Sequence, residues 1–410
     1  MKAIRKDFPI LKTRVADHEL VYLDNAATSQ KPQAVIDALT QFYTHYNNNI
    51  HRSVHAFGEQ ATVLYEKARA TVAAFINADS TEIIFTKGTT EGINFIAQAW
   101  AAKNLREGDE IVLTELEHHA NIFPWLEAVR AKKIVIRYIP VTQDGELEYT
   151  SLPSVITKKT KLVSVAQTCN SLGTHNDVAQ IISAAHTVGA RIFIDAAQSA
   201  AHQPIDVKKM DCDFLAFSGH KLLGPTGIGV LYIKKELHDH VAPYQFGGGM
   251  IYEADYHHAT WQKAPHKYEA GTPPIAQAIG LAAAIAYKQQ HISWQEQRTH
   301  EAALCAQLID GLSAHPEIKM LGPIDQLKKQ GHMVGFVIDG IHAHDAAAFL
   351  GNYGICVRAG NHCAQPLAQK LGIAAWLRAS FYAYNTHEEV EKLLKYINPL
   401  LCQFSMNKKI

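Results

Sequence analysis

The stretch DFLAFSGHKLLGPTGIGVLYIKK occupies residues 213–235. Its ends, DFLAFSG (213–219) and IGVLYIKK (228–235), read as two short apolar strands. The turn between them holds Gly219, Gly224 and Gly227, one proline, and a single lysine, Lys221. A lone lysine is ordinarily a solvated surface group, because its ammonium is strongly hydrated. Confined between buried strands it has a lowered pKa and becomes an amine nucleophile. Lys221 is therefore the first candidate for covalent chemistry.

Working outward from that turn, strands and amphipathic helices alternate. EIIFT (82–86), EIVLT (110–114), KIVIRYIPV (133–141), KLVSVAQ (161–167) and RIFIDA (191–196) read as further strands. Helical stretches separate them. One, DVAQIISAAHTVGA, has apolar residues at 178, 181, 182 and 185, and Gly189 as its predicted C-terminal cap. Such alternation predicts an α/β fold with a mostly parallel sheet, whose ligands bind beyond the carboxyl ends of the strands. After residue 272 the pattern changes to two long helices, then MVGFVID (strand), HDAAAFLGNYG (helix), ICVRAG (strand) and LRASFYAYN (strand). Thr386–Glu389 reads as a capping box opening the last helix. The division expected is a large domain over 20–290 and a smaller α+β domain over 1–19 and 291–410.

Four features fall at the predicted carboxyl edge. KGTTEGINF (87–95) turns from strand into helix, and a helix start with Thr89 and Thr90 suits a phosphate, though it also suits an ordinary cap. Asp195 ends a buried strand, where a carboxylate is costly unless paired; it caps the next helix or meets a protonated ring nitrogen. Lys221 ends the next strand. His118, in HHAN (118–121), is placed to stack on a flat ring or shuttle protons. An anion cup, a carboxylate, an amine and an imidazole at one edge are the parts that pyridoxal 5'-phosphate requires.

The 410 residues include 39 basic and 39 acidic side chains, for zero net charge with histidine neutral. That balance argues against a nucleic-acid-binding surface. No apolar run approaches a membrane span, and the first residues lack the apolar stretch of a secretory signal. Six dispersed cysteines without a CxxC pair point to reduced thiols and a cytoplasmic location. The 23 histidines show no spacing that demands a metal.

With these residues in place, the chain closely resembles the class II cysteine desulfurases of the SufS type, a fold type I pyridoxal phosphate-dependent family. The resemblance runs from YLDNAATSQKP (22–32) through NIHRSVH (49–55), GTTEGIN (88–94), EHHANIFPW (117–125), NSLGT (170–174), DAAQSAAH (195–202), FSGHKLLGPTGIG (217–229), EAGTP (269–273) and RAGNHCAQP (358–366) to RASFYAYNTHEE (378–389). It implies a seven-stranded sheet in the large domain. It also implies that Lys221 carries the cofactor, Asp195 meets the ring nitrogen, Gln198 the ring hydroxyl, and His118 the ring face. Thr90, Ser218 and His220, with Thr89 close by, would hold the phosphate. Thr272 would reach the phosphate of the other subunit of a homodimer. Asn170 and Arg378 would bind the carboxylate of L-cysteine, with Arg358 near the mouth.

Cys363 is the implied sulfur acceptor, and its polar, basic, hinged surroundings suit a reactive thiolate. Cys212, Cys305, Cys356 and Cys402 have apolar neighbours and read as structural. The implied end use is iron–sulfur cluster assembly through a SufE-like or SufU-like acceptor protein. Selenocysteine lyase activity, another pyridoxal phosphate lyase, or a non-catalytic assembly scaffold are the alternatives. Asn361 stands where the family usually has histidine, and Gln167 and Cys169 beside Asn170 are unusual. His342 and His344 read as a solvated helix start or as a contact for a zinc-bearing partner.

Overall fold

The computed structural model describes residues 2–407. The seven strands of the larger sheet are β1 (Ile83–Thr86), β2 (Glu110–Thr114), β3 (Val135–Ile139), β4 (Thr160–Ala166), β5 (Arg191–Asp195), β6 (Phe214–Ser218) and β7 (Gly229–Ile233). They lie in the order β1-β7-β6-β5-β4-β2-β3. Only β7 runs antiparallel, to β1 on one side and β6 on the other. Each strand alternates its side chains between two apolar layers. On β6, Leu215 and Phe217 face one cluster, and Phe214 and Ala216 the other. Helices Ala56–Phe75, Val178–Thr187 and Ile275–His291 cover the first face; Thr89–Ile96 and Phe123–Val129 cover the second.

Gly189 ends its helix as expected. At φ +74° it donates to His186 O at 3.1 Å, and Ala190 donates to Ala185 O at 3.0 Å, which satisfies two orphan carbonyls. The capping box is also present: Thr386 N donates to Glu389 Oε2 at 3.0 Å, and Glu389 N to Thr386 Oγ1 at 3.4 Å.

The second sheet contains β8 (Ile318–Leu321), β9 (Met333–Ile338), β10 (Arg358–Gly360) and β11 (Trp376–Ser380), in the order β8-β9-β11-β10 and antiparallel throughout. Helices Trp294–Leu312, Ala343–Gly351 and His387–Asn407 pack on it. The sequence reading missed β8, whose IKML lacks β-branched density. It also ran ICVRAG together, whereas Ile355–Cys356 pairs in parallel with Val21–Tyr22 and only Arg358–Gly360 joins the sheet. Cys212 and Cys305 are buried, but Cys402 is exposed. Its helix buries Val390, Leu393, Ile397 and Leu400, and that stripe turns position 402 outward.

A buried polar chain joins the two sheets' helices. Lys288 on Ile275–His291 bonds Gln297 Oε1, Gln297 Nε2 donates to Glu301 Oε1 at 2.7 Å, and Glu301 Oε2 pairs with His202 Nδ1 at 2.9 Å. The His202 ring stacks on His332 at 3.7 Å. Burial lowers Lys288 to about 7 and raises Glu301 to about 8.

Candidate active site

The strand register assembles the site. Asp195, the last residue of β5, pairs with Ala166 on β4 and Ala216 on β6. Gly229, the first residue of β7, lies between Thr86 and Ser218. A Cβ on Gly229 would come within 2.4 Å of Gly88 Cα and 2.8 Å of Phe217 O, so only glycine permits this approach. The contact brings the start of the Thr89–Ile96 helix against β6. Thr89 N donates to Ser218 Oγ at 2.9 Å, and the two hydroxyls lie 2.8 Å apart.

Past β6 the chain makes a tight turn over Gly219–Lys221. Gly219 N donates to Ile228 O, and Gly224 N to Gly219 O, each at 2.9 Å. The other side of the turn is held by residues near the chain's start. His220 O accepts from Thr28 Oγ1 at 3.0 Å, Ser29 N at 3.1 Å and Lys31 Nζ at 2.9 Å, and Ser29 Oγ accepts from Leu223 N at 2.8 Å. The sequence reading gave none of these residues a role.

These elements enclose a cavity of about 320 Å³. Thr89, Thr90, His118, Asn170, Asp195, Gln198, Ser218, His220, Lys221, Arg358, Cys363 and Arg378 all line it. Thr272 does not. It lies in a separate hollow with Asn49, Arg52 and Gly271, and accepts from Asn49 Nδ2 at 3.4 Å.

The electrostatics follow from enclosure. Burial lowers Lys221 to about 8, against the opposing pull of Asp195. Burial raises Asp195 above the usual carboxylate range, although Ala197 N donates to its Oδ1 at 2.8 Å. His118 is lowered to about 4 by burial and by Lys221; its Nδ1 accepts from Ala120 N at 2.9 Å, which places the neutral ring's proton on Nε2. His220 is lowered to about 4 for the same reasons. Gln198 lines the wall, and its Nε2 donates to Ala26 O at 2.9 Å.

A second group sits at the mouth. Arg358 on β10 is directly opposite Arg378 on β11, a like-charge pairing that is unfavourable alone. Asp24 offsets it. Its Oδ2 accepts from Arg358 Nη2 at 2.6 Å, and its Oδ1 lies 3.5 Å from Arg378 Nη2. Burial lowers Arg378 to about 10. Arg378 Nε and Asn170 Oδ1 are buried without partners. Unpaired buried polar atoms are costly, so these two are ready for a ligand. Asp24 was missed by the sequence reading, although its place in YLDNAATS, a carboxylate between a short apolar strand and small residues, was a usable signal.

Cys363 is exposed at this mouth, on a loop with Gly360 at φ +130°. His362 (φ 54°) and Cys363 (φ 56°) are both left-handed, which costs about 1–2 kcal/mol per non-glycine residue. Asn361 supports the turn, with Oδ1 accepting from Cys363 N at 3.2 Å and its carbonyl from Ala364 N at 2.9 Å. Cys169 is buried, its Sγ 3.2 Å from Ser171 Oγ, and burial raises its pKa. His342 and His344 are both exposed, with rings 5.1 Å apart.

Folding also gathers His51, Glu66 and His266, with ligand atoms all within 4.8 Å of one another, which sequence spacing did not reveal. Arg69 already pairs with Glu66 at 3.0 Å, so that carboxylate is neutralised.

Comparison with known proteins agrees with this geometry. The family model described as Aminotransferase class-V matches residues 21–393. A cysteine desulfurase of Haloferax volcanii is 45% identical, over 97% of this chain and 96% of its own. A probable cysteine desulfurase of Halalkalibacterium halodurans is 48% identical, over 96% of each chain. The apo cysteine desulfurase of Thermococcus onnurineus NA1 superposes with a TM-score of 0.92 at 40% identity, covering 97% of both chains. The Escherichia coli cysteine desulfurase CsdA does so at 0.89 and 40%, covering 97% and 98%. The chain belongs to the class-V aminotransferase family and, within it, to the cysteine desulfurases. No helix among the described residues is long and apolar enough to cross a membrane.

Proposed function

We propose that this enzyme takes sulfur from L-cysteine onto Cys363, releases L-alanine, and supplies the sulfur for iron–sulfur cluster assembly. The observation that carries the proposal is that one cavity is lined by a desolvated amine, a buried arginine with a free Nε, and an exposed thiol.

Pyridoxal 5'-phosphate fits the residues present. Thr89, Thr90, Ser218 and His220 would hold its phosphate, Asp195 its ring nitrogen, Gln198 its hydroxyl, His118 its face and Lys221 its aldehyde carbon. Asp195 is a buried carboxylate facing the cavity with no cationic side chain bonded to it, which suits a protonated ring nitrogen. When bound, the cofactor supplies the electron sink that loosens bonds at the substrate's carbons. In this reading the cofactor belongs to the 20–290 unit, and the thiol loop to the unit formed by 291–410 with 1–19.

The side chains do the rest. Arg378 Nε and the second amide proton of Asn170 Nδ2 would fix the substrate carboxylate, with Arg358 at the mouth. Lys221, with its pKa near 8, moves the α-proton. The Cys363 thiolate attacks the substrate sulfur. A sulfur–sulfur bond forms, the carbon–sulfur bond breaks, and the carbon takes up a proton to give alanine. The persulfide then passes to a second thiol by exchange, so a SufE-like or SufU-like acceptor protein is required.

The enzyme works in the cytoplasm as a homodimer. The position of Thr272 outside its own cavity supports the reading that it completes the partner's phosphate site. Exposed Phe246, Tyr252 and Tyr256 supply apolar surface for such an interface.

The test is to give the purified holoenzyme L-cysteine without reductant, assay alanine, and map added sulfur by mass spectrometry. One extra sulfur on Cys363 is expected, with alanine production lost in Cys363→Ser. Undiminished turnover by Cys363→Ser would overturn the assignment.

A further inference from the structure

The loop carrying Cys363 is exposed yet firmly docked. His362 O accepts from Asn170 Nδ2 at 2.7 Å, and His362 Nε2 lies 3.1 Å from Trp376 O. Two more bonds come from a single residue. His119 N donates to Cys363 O at 2.8 Å, and His119 Nε2 accepts from Gln365 N at 2.9 Å. His119 thus grips the loop on both sides of the thiol. Its neighbour His118 lines the cavity, so one short turn bears on both the cavity wall and the loop.

The second grip has a chemical condition. An amide N–H can donate only to an imidazole nitrogen with a free lone pair, and a protonated ring has none. We propose that His119 is a positioning residue that docks the Cys363 loop only while its imidazole is neutral. The proposal rests on the reading of Cys363 as sulfur acceptor.

The surroundings favour the neutral ring. On the same turn, His118 lies 6.2 Å away and is neutral near pH 7. From the following helix, the Phe123 ring packs at 5.1 Å. From the loop come Cys363 and Gln365. On the helix after the loop, Lys370 is paired with Glu115. No carboxylate forms an ion pair with His119 among the described residues, and burial holds it below the usual imidazole range. Docking is therefore present above the folded-state pKa of His119 and lost as pH falls through it.

Hydrogen exchange on the holoenzyme, followed by mass spectrometry of the peptides spanning 358–371, tests this directly. After correction for intrinsic exchange, wild-type protection should fall about five- to tenfold as pH is lowered from 8 through the folded-state pKa of His119, the worth of about one hydrogen bond. His119→Gln, whose Oε1 accepts but does not titrate, should keep its protection across that range. His119→Ala should lack it throughout and should form persulfide more slowly, with cofactor absorbance retained. Wild-type protection in His119→Ala at pH 8, or the wild-type pH curve in His119→Gln, would overturn the proposal. If protection behaves as expected but Cys363 collects no sulfur, the clasp stands and the sulfur-acceptor reading fails.

Discussion

Asp24 shows what one side chain can do for two others. Arg358 and Arg378 face each other across adjacent strands, and the carboxylate between them lets both stay. Asp24→Asn removes a charge-assisted bond worth about 1.5–3 kcal/mol. The KM for L-cysteine should rise at least tenfold while kcat changes less, because Arg378 loses its aim rather than the reaction its chemistry. Steady-state kinetics would show this, and an unchanged KM would mean that the strand ladder alone positions Arg378. Lys221 gives a pH signature. With its pKa lowered to about 8, the reactive neutral form grows about tenfold per pH unit below that value and levels off above it. Cofactor uptake by the apo protein, followed by absorbance, should track that curve. The residues of the cavity were legible because each departs from its ordinary context: a lysine among glycines, an aspartate ending an apolar run. Asp24, Ser29 and Lys31 were not, because their partners lie roughly 190 to 350 positions away.

At the scale of elements, strand ends and helix starts do the positioning. Six of the seven large-sheet strands were readable as apolar runs because they are buried on both faces; the edge strand β3, exposed along most of its length, was readable from its Val and Ile density. The short β8 was not, because IKML carries a lysine and a single β-branched residue, and the split at Ile355–Arg358 was not, because two- and three-residue strands carry too little pattern to register. The Gly88–Gly229 contact is a junction where one added methyl should matter. Gly229→Ala would push the Thr89 helix away from Ser218, an overpacking cost of about 1–3 kcal/mol. A lower urea midpoint together with weaker retention of the phosphate-bearing cofactor is expected. Loss of stability with normal retention would separate the junction from the anion cup.

The whole molecule is tied together by buried polar groups as well as by apolar layers. Lys288, Gln297, Glu301 and His202 form one chain between helices that serve different sheets. Glu301→Ala leaves the buried Gln297 Nε2 and His202 Nδ1 without their partner, at about 1–3 kcal/mol for each group left unsatisfied. Its urea midpoint should fall accordingly, and a neutral effect would show that water takes the carboxylate's place. None of this was visible in the sequence, because a histidine, a glutamate and a lysine in separate helices look like solvated faces.

The lysine turn is clasped by residues 28–31, and the mouth is braced by Asp24 against Arg358 and Arg378. Such a pocket is sewn shut with the last lengths of thread. A ribosome that has made only the first 350 residues has built the sheet but neither arginine, so the growing polypeptide can be a folded shell long before it can recognise an amino acid.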